Sequence, residues 1–156
     1  MYLVDFGIPV PELGIQLGDR LESSEEKALM TSRVQDWRAL YNSMIMCMFS
    51  NPPPNTILEM LNAATGWELQ ISDLLPLGER AFNLKRLFNG KLGLTAKNDR
   101  LPKLLLQPLP DSEAETRVPD MDVLLPAFYR LRGWDPITGM PTPEKLRQLG
   151  LEDVAF

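Results

Sequence analysis

Ser23–Phe49, SSEEKALMTSRVQDWRALYNSMIMCMF, is the stretch that decides the fold class of this chain. Ser23 stands three residues before Glu26, a spacing at which each can satisfy a backbone donor of a first helical turn. Glu22, Glu25 and Glu26 add negative charge where a helix dipole is positive. Met30, Val34, Trp37, Tyr41, Met44 and Met48 then recur in steps of four and three, which predicts one apolar face of a helix over about 24–49. Cys47, the only cysteine, falls at its far end, and Pro52 to Pro54 stop the helix from continuing.

Outward from this helix, residues 1–22 hold Pro9, Pro11 and three glycines, and read as an irregular entry arm. It docks Leu3, Phe6, Ile8, Leu13, Ile15 and Leu17 on the helices, because that much apolar surface is costly to expose. A second helix starts at Pro54 or Asn55, buries Ile57, Leu58, Met60, Leu61 and Ala64, and ends before Gly66. A third is capped by Ser72-Asp73 and runs to about Gly90. Leu74, Leu77, Ala81, Leu84, Leu87 and Phe88 share one side, Pro76 lies in the first turn, and Arg80 reaches an acidic partner. Residues 93–119, with four prolines, form an irregular connection with one short helix around Pro102–Leu106. A fourth helix spans Asp120 to about Arg132, bent or divided at Pro126 and stopped by Gly133. A turn over Asp135–Gly139 leads to a small helix capped by Thr142 and ending at Gly150. No alternating strand appears. The fold class is all-α: an irregular bundle of about four to six helices forming a single domain over 1–156.

Composition narrows the chemistry. At 156 residues and 44% hydrophobic content, the chain is long enough to bury a core. A formal charge of −5 leaves no basic footprint for nucleic acid. No run approaches the ~18 apolar residues of a membrane span. The start, MYLVDFGIPVPELG, lacks the basic-then-apolar order of a signal peptide. A single cysteine excludes an internal disulfide and fits a reducing cytoplasm. There is no histidine, so the commonest general base, triad partner and metal ligand are all missing. That argues against a self-contained zinc hydrolase or serine–histidine enzyme.

The chemistry-bearing residues have plain readings of their own. Cys47 among methionines reads first as inert core, and second as one ligand of a site shared with another polypeptide. Asn42 reads as a polar residue on a solvated or helix-packing face. Met44, Met46 and Met48 alternate too closely to converge on a metal from a helix, so they read as packing. Asp120 and Asp122 are explained by capping. Lys85, Arg86 and Lys91 read as solvated surface or as a helix-end charge pattern.

Two further stretches carry a family resemblance. The first is Gly78-Glu-Arg-Ala-Phe-Asn-Leu-Lys-Arg-Leu-Phe-Asn89, followed by Gly93-Leu-Thr and Asn98-Asp-Arg-Leu-Pro102. The second is Tyr129-Arg-Leu-Arg-Gly-Trp-Asp135, followed by Thr138-Gly-Met-Pro-Thr-Pro-Glu-Lys-Leu146 and Leu149-Gly-Leu151. Together with Ile8-Pro-Val-Pro-Glu-Leu, Gln35-Asp36 and Asn42-Ser-Met-Ile-Met-Cys-Met-Phe49, they resemble the C-terminal end of the tungsten-dependent aldehyde:ferredoxin oxidoreductase family. The likeness covers nearly the whole chain.

That resemblance implies a third, helical domain of an enzyme that oxidises aldehydes to carboxylic acids at a tungstopterin, with electrons passing through a 4Fe-4S cluster to ferredoxin. It implies Cys47 as the fourth cluster ligand and as the metal-binding residue of this chain. Asn42 takes the place of an aspartate that hydrogen-bonds a pterin, and keeps hydrogen-bonding capacity without the charge. The family's glycine in this motif reads Ile45, a side chain where backbone comes close to the cofactor. The N-terminal cofactor domain and the CxxCxxxC run that supplies the other cluster cysteines have no counterpart here. The resemblance therefore implies a chain that is inactive alone and is completed by an N-terminal part on the same or a companion polypeptide. The alternative is a non-catalytic interaction or scaffold module derived from that domain.

Overall fold

The computed structural model describes residues 9–16, 18–19, 21–47, 49–108 and 117–154. Among them the chain is all-α: five α-helices and four 3-10 turns, with two isolated bridges, Val10 to Ile15 and Trp134 to Pro141, and no strand. The first helix, α1, spans Glu25–Ser43 and forms the centre. Its cap is Ser24, whose hydroxyl accepts from the Lys27 amide at 3.1 Å, and not Ser23. Ser23 Oγ instead accepts from the Asp120 amide at 2.9 Å, tying the start of α1 to the start of a later helix.

Asp36, Trp37, Arg38, Ala39, Leu40 and Tyr41 are buried in succession. At that level α1 is enclosed on all sides rather than along one stripe. Trp37 meets Tyr41 edge to face at 4.9 Å. They share a core with Val10, Leu13 and Ile15 of the entry arm, Leu40, Ile57 and Leu74. Leu3, Phe6, Ile8, Leu17 and Met48, also expected in the packing, lie outside the described residues. The helix does not run on towards Phe49; it ends at Ser43.

α2 spans Pro54–Thr65 and ends at Gly66, which takes a φ of +72°. Ile57 is fully buried and Leu58 and Leu61 pack on the core, whereas Met60 and Ala64 are exposed, contrary to the expected stripe. α3 spans Ile71–Lys91. Gln70 caps it reciprocally with Asp73, so the helix starts earlier than a Ser72-Asp73 cap allows and Pro76 falls in its second turn. Its buried positions are Leu74, Gly78, Asn83 and Arg86, while Leu84 and Phe88 face outward. The expected apolar side of α3 is therefore the core side only near its start, at Leu74 and Leu77, and is exposed further along. α1 packs mainly on α3 and then on α4.

3-10 turns at Ala96–Asn98 and Lys103–Leu106 punctuate the connection, the second where a short helix was expected. α4 spans Met121–Arg132; Asp120 Oδ1 accepts from the amides of Asp122 and Val123, and Gly133 closes it with a φ of +62°. Asp135 Oδ1 then accepts from the Thr138 amide and hydroxyl and from the Ile137 amide, bonds that, Thr138's first, hold its carboxyl below the ordinary range. α5, Pro143–Gln148, follows with Thr142 as cap.

Candidate functional site

The last turn of α1 closes as a hook. The Ile45 amide donates to the Asn42 carbonyl at 3.1 Å and the Met46 amide to the Tyr41 carbonyl at 3.0 Å, the paired bonds of a Schellman motif. The bend needs a left-handed residue, and Ile45 supplies it with a φ of +58°. Glycine adopts that conformation freely, whereas for an L side chain it costs ~1–2 kcal/mol. The isoleucine side chain is 94% exposed. Met44 and Met46 turn back onto the core, while Asn42, Cys47 and Phe49 are exposed.

The hook is fastened on its far side. Ser50 donates to the Cys47 carbonyl from both its amide (3.1 Å) and its hydroxyl (2.7 Å). Arg38 Nη2 donates to Asn51 Oδ1 at 3.3 Å, and the Tyr41 hydroxyl to the Pro52 carbonyl at 3.0 Å. Cys47 is therefore a held, accessible thiol and not inert core. The expected burial fails because the helix that would have carried it into the methionine packing stops at Ser43.

One exposed thiol fits one ligand position of a thiolate-bound cluster. Among the described residues no group of three or more His, Cys, Asp or Glu could hold a metal ion. The described chain thus offers a single thiol ligand and no closed metal site. The Asn42 side chain offers an amide donor and acceptor on the same hook.

A second cluster of polar groups lies inside. The Arg132 guanidinium sits 4.2 Å from the centre of the Phe82 ring and 5.2 Å from that of Phe128. It donates to Asp36 Oδ1 at 2.5 Å, to the Ser32 carbonyl at 2.9 Å and to Gln35 Oε1 at 3.0 Å. Burial raises the Asp36 carboxyl to about 7, against the pull of Arg132. Nearby, Arg86 forks onto Asp99 at 2.8 and 2.5 Å and donates to the Gly139 carbonyl at 2.7 Å. The Tyr129 hydroxyl donates to the same Asp99, and burial first, then that carboxylate, push it up to about 12. Trp134 Nε1 donates to Asn83 Oδ1 at 2.7 Å. Arg86 is thus a buried strut and not solvated surface. Arg80 reaches the Gly150 carbonyl (3.2 Å) in place of the expected acidic partner.

These networks join α1, α3, α4 and the turns, and their role is architectural. Sequence reasoning missed them because a lone charged residue carries no mark of burial. The one available signal was Arg132 four residues beyond Phe128 on α4. An apolar groove of about 420 Å³, lined by Ala28, Thr31, Gln35, Leu124 and Phe128, opens between α1 and α4. It lies beside the first half of a 19-residue helix roughly 28 Å long, away from the hook at its end.

Residues 2–151 match the family model described as "Aldehyde ferredoxin oxidoreductase, domains 2 & 3". The chain belongs to the aldehyde ferredoxin oxidoreductase family. Its relatives include a tungsten-containing aldehyde ferredoxin oxidoreductase of Pyrococcus abyssi, 40% identical over 139 residues, and one of Thermococcus kodakarensis, 37% identical over the same length. A third, from Pyrococcus furiosus, is also 37% identical. Each alignment covers 86% of this chain and 23% of the relative, so the chain spans about a quarter of the length of the family enzymes it matches. The family resemblance drawn from the Gly78–Asn89 and Tyr129–Asp135 stretches is borne out.

Proposed function

We propose that this chain works as the C-terminal helical part of a tungstopterin- and iron–sulfur-dependent aldehyde:ferredoxin oxidoreductase. An N-terminal cofactor-binding part, on the same or a companion polypeptide, completes it. The observation that carries this reading is Cys47, exposed on a hook fastened from both sides, in a chain of this family. As a thiolate, Cys47 is suited to be one of the four ligands of a 4Fe-4S cluster. Asn42 offers its amide to a pterin, and the helices wall the cofactor and channel. In that assembly an aldehyde is oxidised to a carboxylic acid and the electrons leave through the cluster to ferredoxin. Alone, the chain lacks the other cluster ligands and is inactive. Its single cysteine supports a reducing, cytoplasmic setting; no described helix is long and apolar enough to cross a membrane.

A second reading is a scaffold module that kept the packing and lost the chemistry. Ile45 favours it, since a strained, exposed side chain stands where the family motif has glycine.

Anaerobic purification from the host, followed by native mass spectrometry and metal analysis, separates the two. A larger partner carrying iron with tungsten or molybdenum supports the oxidoreductase reading, and Cys47→Ala then lowers bound iron. A metal-free species of 17.7 kDa overturns it and leaves the scaffold.

A further inference from the structure

α3 carries two opposed faces. On the inner one, Gly78 lies against the Asp36 backbone, Asn83 accepts from Trp134, and Arg86 holds Asp99 and the Gly139 carbonyl. These groups set the rotation of the helix about its axis. On the opposite arc of the helical wheel lie Leu77, Ala81, Leu84 and Phe88. Leu77 is covered by the core cluster. Further along, the cover ends: Leu84 is 40% exposed, Phe88 54%, and Leu92, just past the helix end, 67%. Leu84, Lys85, Phe88 and Asn89 line a shallow groove of about 500 Å³.

The helix cannot roll this stripe inward without breaking the bonds of Asn83 and Arg86. Its exposure is built into the fold, and contiguous exposed apolar surface of this kind marks an interaction site. We propose that Leu84, Phe88 and Leu92 form the seat on which the remainder of the family polypeptide rests an apolar surface of its own. The occupant follows from length: the chain spans 23% of its relatives, so most of the family polypeptide lies outside it and must be docked somewhere on it. This inference rests on the reading of the chain as one part of a larger oxidoreductase, and it names the contact surface.

The test is carbene footprinting of side chains in the native complex isolated anaerobically from the host, compared with the isolated chain. A partner carrying iron and tungsten or molybdenum, with labelling of Leu84, Phe88 and Leu92 reduced several-fold and Ile137 unchanged, supports the seat. The same partner with the stripe labelled as in the free chain overturns the seat and leaves the functional reading standing. A chain isolated as a monomer overturns both. A homodimer that protects the stripe overturns the seat in favour of self-association. The double substitution Leu84→Ser with Phe88→Ser should weaken the complex at least about tenfold. Ile137→Ser, at an exposed turn residue, should not. Equal weakening by both overturns the proposal. Circular dichroism of each variant checks that the helices are retained.

Discussion

Gly78 of α3 lies so close to Asp36 of α1 that a Cβ placed on it would overlap the Asp36 carbonyl oxygen and stand 2.6 Å from the carbonyl carbon. The obstacle is helix backbone, which cannot swing aside as a flexible side chain can. The principal helix pair of the fold therefore depends on a missing side chain. Gly78→Ala should force α3 away from α1 and destabilise the chain by about 3 kcal/mol or more. Urea unfolding measures it, and a loss no larger than that of an exposed substitution would refute the close packing.

Asp36 should make stability fall as pH rises towards neutrality. Burial raises its carboxyl to about 7 from an ordinary value of 3.8, against the attraction of Arg132. A raised folded pKa means the native state keeps a proton that the unfolded chain has lost. The resulting stability is fully present below about 3.8 and disappears as pH passes through about 7. Relative to Asp36→Asn, the wild type should lose on the order of 2 kcal/mol between about pH 5 and about pH 8. Parallel pH profiles for the two proteins would show that Asp36 is not the source.

Ile45→Gly should stabilise the isolated chain. Removing an isoleucine from a left-handed bend relieves ~1–2 kcal/mol of strain, and the added freedom of glycine in the unfolded chain offsets ~0.5–1 kcal/mol of that. The side chain is 94% exposed, so little packing is lost. A gain of roughly 0.5–1 kcal/mol in denaturant unfolding is expected; a clear loss would mean that Ile45 packs against the chain after all.

Cys47→Ser should leave the isolated chain within about 0.5 kcal/mol of the wild type, as befits an exposed position. The native thiol should react with a water-soluble disulfide reagent at a rate close to that of the unfolded chain. A protected thiol, or a destabilised serine variant, would return Cys47 to the core and remove the main support for a shared cluster.

Local rules located most of the elements. Pro54 at the start of α2, Gly66 past its end, Asp120 and Gly133 around α4, and Thr142 before α5 each act within one turn of chain, so nearest neighbours suffice to read them. The end of α1 escaped that reading. Ile45 is a poor left-handed residue by its own preference, and it is accepted because Met44 and Met46 pack on the core and the Cys47 and Asn51 bonds hold the chain beyond. The orientation of α3 escaped it too. Counting apolar residues selects the side from Leu74 to Phe88 as the inner face; Leu74 and Leu77 do pack on the core, but further along Asn83 and Arg86 find their partners at Trp134, Asp99 and Gly139, and Gly78 alone lets α1 come close.

The amino-acid sequence by itself determined the all-α class, the starts of α2, α4 and α5, and the family, because periodicity, caps and motif order are properties of neighbouring residues. Tertiary structure decided that Cys47 stands exposed, that Arg86 and Arg132 are buried struts, and that α3 turns leucine and phenylalanine outward. Those outcomes depend on which buried donors and carboxylates meet across the fold, and an unpaired buried charge costs more than an exposed leucine.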